Sequence, residues 1–293
     1  MKRSLLLSLL AVASACTSTP RVADPPVAPR PVASPPVPSD PSPGEALRLV
    51  LEEGLGQARP EVVAALLGET YTEHDPGLPD GPAGILGHVA GLATHPPGAR
   101  SSLRVLRTLD DPPYVAAHSE ESLPGGERAA RFDVFRLREG KLVEHWSARM
   151  LERDPPDEAA GRRGLLEGPV EVRDREQSVE NRLRIQRFVD EVLIERREVV
   201  AHFVSDELIQ HDPRLDDGPA AWARDLDLGP LVHTRLERVI GEGDLVLTQC
   251  HGTLEGTAVV IYDLFRLEAG LVVEHWNVWE AVPGQPAHEN GML

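Results

Sequence analysis

The chain has 293 residues, 41% of them hydrophobic, and a formal net charge of −17. That apolar share supports packed cores and argues against a wholly disordered chain, while the acidic excess repels phosphate backbones, so nucleic-acid binding is not expected. At the N-terminus, Lys2 and Arg3 precede an apolar run at 5–13 that is too short to cross a bilayer, and Ala13, Ser14 and Ala15 then lead to Cys16. A basic start, a short apolar stretch and small residues form the pattern of an export leader. Removing Lys2 and Arg3 with that leader leaves 28 basic against 47 acidic residues.

The run Val12 to Cys16 resembles a bacterial lipobox, with Ala13 where the pattern prefers Leu. The resemblance implies a signal peptide at 1–16, acylation of Cys16, and a lipid anchor as the chain's only membrane contact. Thr17, rather than Asp, follows the cysteine. By the rule for enteric lipoproteins this points to the periplasmic face of the outer membrane. The alternative is ordinary cleavage after Ala15 and secretion. Residues 17–43 contain ten prolines and no apolar period, which reads as an extended, semi-rigid tether.

The remainder repeats itself. His74, Asp75, Pro76, Asp80, Gly81 and Pro82 recur 137 residues later as His211, Asp212, Pro213, Asp217, Gly218 and Pro219. Asp133, Phe135, Arg136, Gly140, Glu144, His145 and Trp146 recur 130 residues later as Asp263, Phe265, Arg266, Gly270, Glu274, His275 and Trp276. Two blocks in the same order mean a duplicated domain. The boundaries read as copy one at 44–153, a linker at 154–177, copy two at 178–284 and a tail at 285–293.

Copy one predicts a helix over 45–55, a second over 60–67 opened by Pro60, and a third after Pro82. Copy two predicts a longer helix over 178–194, with Leu183, Phe188, Val189 and Val192 on one face. A helical turn over 198–203 and a helix after Pro219 follow. The His-Asp-Pro block reads as a short extended segment ending in a turn. Four strands per copy close the pattern, in copy two at 232–240, 245–252, 257–267 and 271–282, with hairpin connections at 242–244 and 268–270. The fold class is α+β: two tandem cone-shaped barrels, each with three helices on a curved, mainly antiparallel sheet. Along the last strand of copy one, His145 and Ser147 face one way, and Glu144 and Trp146 the other. His275 and Asn277 oppose Glu274 and Trp276 in copy two. Neither face reads as fully solvated.

These motifs resemble the SnoaL-like branch of the nuclear-transport-factor-2-like superfamily, over roughly 45–153 and 178–283. The resemblance implies a pocket between sheet and helices and a dimer through the sheet. The second copy can stand in for the partner as an intramolecular pseudo-dimer, or two chains can form a homodimer. It also implies polyketide cyclases and isomerases among its members, along with many proteins of no assigned activity.

The ligand-binding candidates are His74, His145, Trp146, His211, His275, Trp276 and Asn277. If there is catalysis, its candidates are His211, His275, His251 and Asp212, since imidazoles near neutrality suit proton transfer on an enolisable carbonyl. The structural alternative is a turn histidine bonded to backbone and a Glu-His-Trp block serving core and interface. Where the family often carries Asp after Glu-His-Trp, this chain has Ser147 and Asn277, neither of which can act as a base. The preceding strands have also diverged, with His118 and Glu120 in register with Gln249 and His251. Copy two, with the more regular strands, reads as the better candidate for any activity. No metal is expected, because close His pairs and structural Cys ligands are missing, and Cys250 reads as a buried, inert thiol. No cofactor is expected. The expected function is binding of a small apolar ligand or a partner without catalysis. The alternative is a cofactor-independent isomerase or cyclase acting on a small carbonyl or polyketide-like substrate.

Overall fold

The computed structural model describes residues 38, 40–152, 163–196, 199–212 and 214–293. The leader, Cys16, nearly all of the tether, the first part of the linker and Pro213 lie outside the described residues. Among the described residues no helix is long and apolar enough to cross a membrane.

Copy one opens with α1 (Pro43–Arg48), where Ser42 and Glu45 cap each other reciprocally and Pro43 takes the first helical position. The helix widens to π-type hydrogen bonding over Leu49–Gly56. Then follow α2 (Pro60–Leu66), β1 (Leu67–Glu73), α3 (Gly81–Ala93), β2 (Ser102–Asp111), β3 (Tyr114–Ser122), β4 (Arg128–Arg138) and β5 (Lys141–Leu151). Copy two runs α4 (Ser178–Phe188) with a π-type extension over Val189–Ile194, a 3₁₀ turn at Val200–His202, and β6 (Val204–Gln210). It continues with α5 (Pro219–Leu228), β7 (Leu231–Glu242), β8 (Leu245–Leu254), β9 (Thr257–Glu268) and β10 (Leu271–Ala281).

Both copies have one topology: the sheet orders are β1-β5-β4-β3-β2 and β6-β10-β9-β8-β7. The α+β fold, two cone-shaped barrels in tandem, is the one the sequence pattern predicts. Each copy carries a fifth strand that the sequence showed only as a short extended segment. It lies at the edge of the sheet, parallel to the last strand. This pairing brings the two motif blocks together, because the His74 N–H donates to the His145 carbonyl and the His211 N–H to the His275 carbonyl, both at 2.8 Å.

The helical turn expected over 198–203 is a 3₁₀ turn at Val200–His202. One local expectation is corrected, the place of Leu183 on the buried face. Leu183 is 59% exposed. The buried face of α4 and its extension instead follows the i, i+3, i+4, i+7 rule through Ile185, Phe188, Val189 and Val192, a period that rotates Leu183 to the outside.

Each copy has its own helix–sheet core. Leu47, Val50, Leu51, Val62 and Val63 pack with Val115, Ala117 and Phe135 in copy one. Phe188, Phe203, Trp222 and Phe265 dominate copy two. A third cluster belongs to both sheets: Leu109, Phe132, Val134 and Trp146 pack with Ile240, Leu247, Tyr262 and Trp276. Burying each such side chain contributes about 1.5–3 kcal/mol.

The chain segments that follow each copy cross to the other one. Gly164 accepts from His211 Nδ1 at 3.0 Å, and Gly291 accepts from His74 Nδ1 at 3.0 Å. Leu165 and Met292, next in line, are both buried in the shared cluster. The carbonyls of Glu167 and Pro169 accept from the buried Arg107, and Pro169 also accepts from the buried Arg266. At the other end, the tail bonds the His-Asp-Pro turn of copy one through Ala287, His288 and Asn290.

Candidate functional site

The strand alternation places the two histidines of each copy on opposite faces. His74 lies on the shared-core side. It stacks on Trp146 with ring centroids 4.8 Å apart, and its Nε2 faces Glu144 at 3.0 Å. His211 stacks on Trp276 at 4.4 Å, and its Nε2 faces Glu274 at 3.4 Å. Both tryptophans belong to the cluster between the sheets. His145 and His275 point the other way, toward the helices. The structure therefore does not bring His74 to His145, or His211 to His275. A peptide bond between successive strand residues directs their side chains apart, and the parallel pairing carries that offset across to the edge strand.

Beneath the helices of copy one is a closed ionic network. His145 donates from Nδ1 to Glu73 Oε1 at 2.7 Å and from Nε2 to Asp133 Oδ1 at 3.0 Å. Burial alone would lower this imidazole, but the Glu73 and Asp133 carboxylates outweigh it and hold it up at about 9. His145 is therefore an imidazolium at neutral pH, clamped at both nitrogens and stacked on Phe135 at 4.3 Å. It has no free nitrogen with which to act as a base. Arg131 donates from Nε to both oxygens of Asp133, at 2.9 and 3.1 Å, and from Nη2 to Asp75 at 3.2 Å. Ser147 donates to Asp75 at 2.7 Å. Burial opposes ionisation of Asp75, yet Arg131 and Ser147 hold its carboxyl down at about 2.

Above this network opens a cavity of about 300 Å³. One wall is apolar, from Leu55, Leu78, Leu92 and Leu103. The polar lining is Asp75, His88, Ser101, Glu121, Arg131, Arg149 and Glu280. Glu280 comes from β10 of copy two. Its carboxylate accepts the Arg149 backbone N–H at 3.0 Å.

In copy two only about 20 Å³ is left among Asp212, Arg214, Trp222, His233, Asp263, His275 and Asn277, as only about 10 Å³ is left beside Ile85, Phe135 and His145 in copy one, while a separate cavity of about 380 Å³ lies among Arg196, Val200, Pro219, Ala223 and Leu226. Trp222 occupies the position of Ile85 on the third helix and stacks on His275 at 4.5 Å. His275 bonds Gln210 at 2.8 Å and Asp263 at 3.0 Å. Asn277 donates to Asp263 at 2.6 Å, and His233 Nε2 bonds its other oxygen at 2.9 Å. Burial opposes the Asp263 charge, but His233 and His275 hold the carboxyl well below the usual carboxylate range. Asp212 is buried and paired with Arg214. His251 lies apart from all of these, part-exposed on the opposite side of β8 from Cys250, bonded by Arg235.

Of the residues singled out from sequence, Asp212, His275 and Asn277 border the small space in copy two. None of the ligand-binding candidates lines the cavity of about 300 Å³ in copy one. Arg131 and Arg149 sit two residues from Asp133 and Ser147, so strand alternation alone puts them on the pocket face, and that signal was present in the sequence. Glu280 had no such signal, because it reaches the cavity from the other copy.

For metals, His233, Cys250 and Asp263 bring ligand atoms within 4.8 Å of one another. Both Asp263 oxygens already serve His233, His275 and Asn277, and burial pushes the Cys250 thiol up, away from the thiolate a metal needs. A cation there would have to displace this hydrogen-bonded set.

No family model matches the chain, and no curated protein matches it. Among solved structures it is similar to a candidate ketosteroid isomerase from Kribbella flavida, at 17% identity and a TM-score of 0.34 over 38% of this chain and 84% of that one. It is similar to an epoxide hydrolase of the LEH-like kind from M. tuberculosis, at 16% identity and a TM-score of 0.30 over 36% and 85%. A candidate SnoaL-like polyketide cyclase from Jannaschia is similar at 19% identity and a TM-score of 0.30 over 39% and 92%.

Proposed function

We propose that this is an envelope-tethered binding protein of the SnoaL-like branch, in which copy one holds a small, largely apolar molecule beside its His-Asp-Pro turn and copy two, filled at the matching place, is a companion domain. The observation that carries the reading is the cavity of about 300 Å³ beside Asp75 in copy one against about 20 Å³ beside its counterpart Asp212 in copy two, since ligand sites begin at about 300 Å³; a separate cavity of about 380 Å³ in copy two lies along α5 and the Val200–His202 turn and reaches none of the motif histidines. Membership of the branch is supported by the His-Asp-Pro and Glu-His-Trp motifs together with the parallel edge strand of each copy. The shared hydrophobic cluster supports reading the two copies as an intramolecular pair in place of a dimer. The lipobox-like run to Cys16 and the proline-rich stretch support export and tethering.

Binding without catalysis fits the state of the polar groups. His145 is a clamped cation, and Asp75 is a weak base already bonded by Arg131 and Ser147. A second reading, a cofactor-independent isomerase, draws on one observation: the cavity holds a carboxyl held low, Asp75, and one raised by burial, Glu280. A screen of small amphipathic molecules separates the two. Binding is expected to raise the melting temperature of the full mature chain. Exchange of α-protons of carbonyl compounds into D₂O would instead carry the isomerase.

A further inference from the structure

The copy-one cavity has an uneven supply of charge. Three carboxylates line it, Asp75, Glu121 and Glu280, against two guanidiniums and the imidazole of His88 on α3. Arg131 is spent on Asp133 and Asp75 and stands 4.0 Å from Glu121. Arg149 puts Nη1 on Glu121 at 3.1 Å and leaves half of its side chain in solvent. Glu280 is different. Among the described residues its hydrogen bond comes from a backbone N–H, and no cationic side chain pairs with it. Its strand, β10, belongs to the other copy, so the cavity is completed only by the tandem arrangement.

We infer that this cavity takes a small apolar amine, its body against the leucine wall and its ammonium group paired with Glu280, a carboxylate that copy two supplies to a site in copy one. The inference rests on the binding reading above. An ammonium donates only, matching the one carboxylate without a side-chain donor, and it evens the charge of the lining. A carboxylate ligand would meet three carboxylates with both guanidiniums already engaged. Burial raises the Glu280 carboxyl, the Arg149 N–H opposes this, and Asp75 on the facing turn reinforces it. Arg149 on β5 and Arg131 on β4 act in the lowering direction. The ammonium needs the deprotonated form, so amine affinity rises with pH through the Glu280 titration and is weaker at pH 4 than at pH 7.

The test uses the full mature chain and three probes of one shape: 2-phenylethylamine, 2-phenylethanol and 3-phenylpropionate, titrated by ligand-observed NMR at pH 7. The amine is expected to bind at least fivefold tighter than the alcohol, and the carboxylate weakest. Glu280→Gln is expected to close the gap between amine and alcohol, and Glu280→Asp to keep it. A carboxylate that binds as well as the amine, or an amine preference that survives Glu280→Gln, overturns this inference and leaves the pocket standing. Failure of all three probes to bind overturns the pocket reading along with it.

Discussion

At the scale of single residues, His145 decides between chemistry and structure. Two carboxylates hold both of its nitrogens, so its charge is part of the fold. Its pKa is raised from the ordinary imidazole value of about 6.5 to about 9. The stabilisation is therefore fully present below about pH 6.5 and lost as pH rises through about 9. Chemical denaturation of the mature chain from pH 6 to 10 is expected to show stability falling across that window, by on the order of 1–3 kcal/mol. His145→Gln is expected to be less stable at pH 6 and to lose that slope. A slope unchanged by the substitution would contradict the clamp. The sequence made the alternation at His145 and Trp146 legible, because a strand forces it. The fates of His74 and His211 were not legible. They depend on a parallel edge pairing and on the carbonyls of Gly164 and Gly291, contacts between residues far apart in the chain.

At the scale of elements, the duplication was readable because the motif blocks are long and ordered alike. Which copy keeps a cavity beside its His-Asp-Pro turn was not, because that turns on volume. Ile85 and Trp222 hold equivalent places on the third helix, and Trp222, with Phe188 and Phe265, fills the cone of copy two. Trp222→Ile is expected to cost about 2–4 kcal/mol of stability. The variant is also expected to gain a dye- or xenon-accessible cavity in copy two. A cost under about 0.5 kcal/mol, within the range of surface changes, would mean that Trp222 does not fill the space.

At the scale of the whole molecule, the two copies are fastened by more than their sheets. Gly164, Leu165 and Leu166 after copy one correspond to Gly291, Met292 and Leu293 after copy two, and each segment docks on the opposite copy. Three residues match too briefly to stand out from sequence alone. With them the duplicated unit includes a crossing arm, so the arrangement is reciprocal, as in a dimer whose subunits exchange their ends. At the other terminus, Cys16→Ser is expected to move the protein from the membrane to the soluble envelope fraction. Unchanged fractionation would remove the lipid anchor from the account. The central claim is that copy one binds and copy two does not. The most direct measurement is a thermal-shift titration of a screened ligand against the parent chain, Leu92→Trp in the copy-one cavity, and Trp222→Ile in copy two. The account predicts a shift for the parent and for Trp222→Ile, and none for a folded Leu92→Trp. A shift that survives Leu92→Trp would contradict it, because the ligand would then sit outside the copy-one cavity.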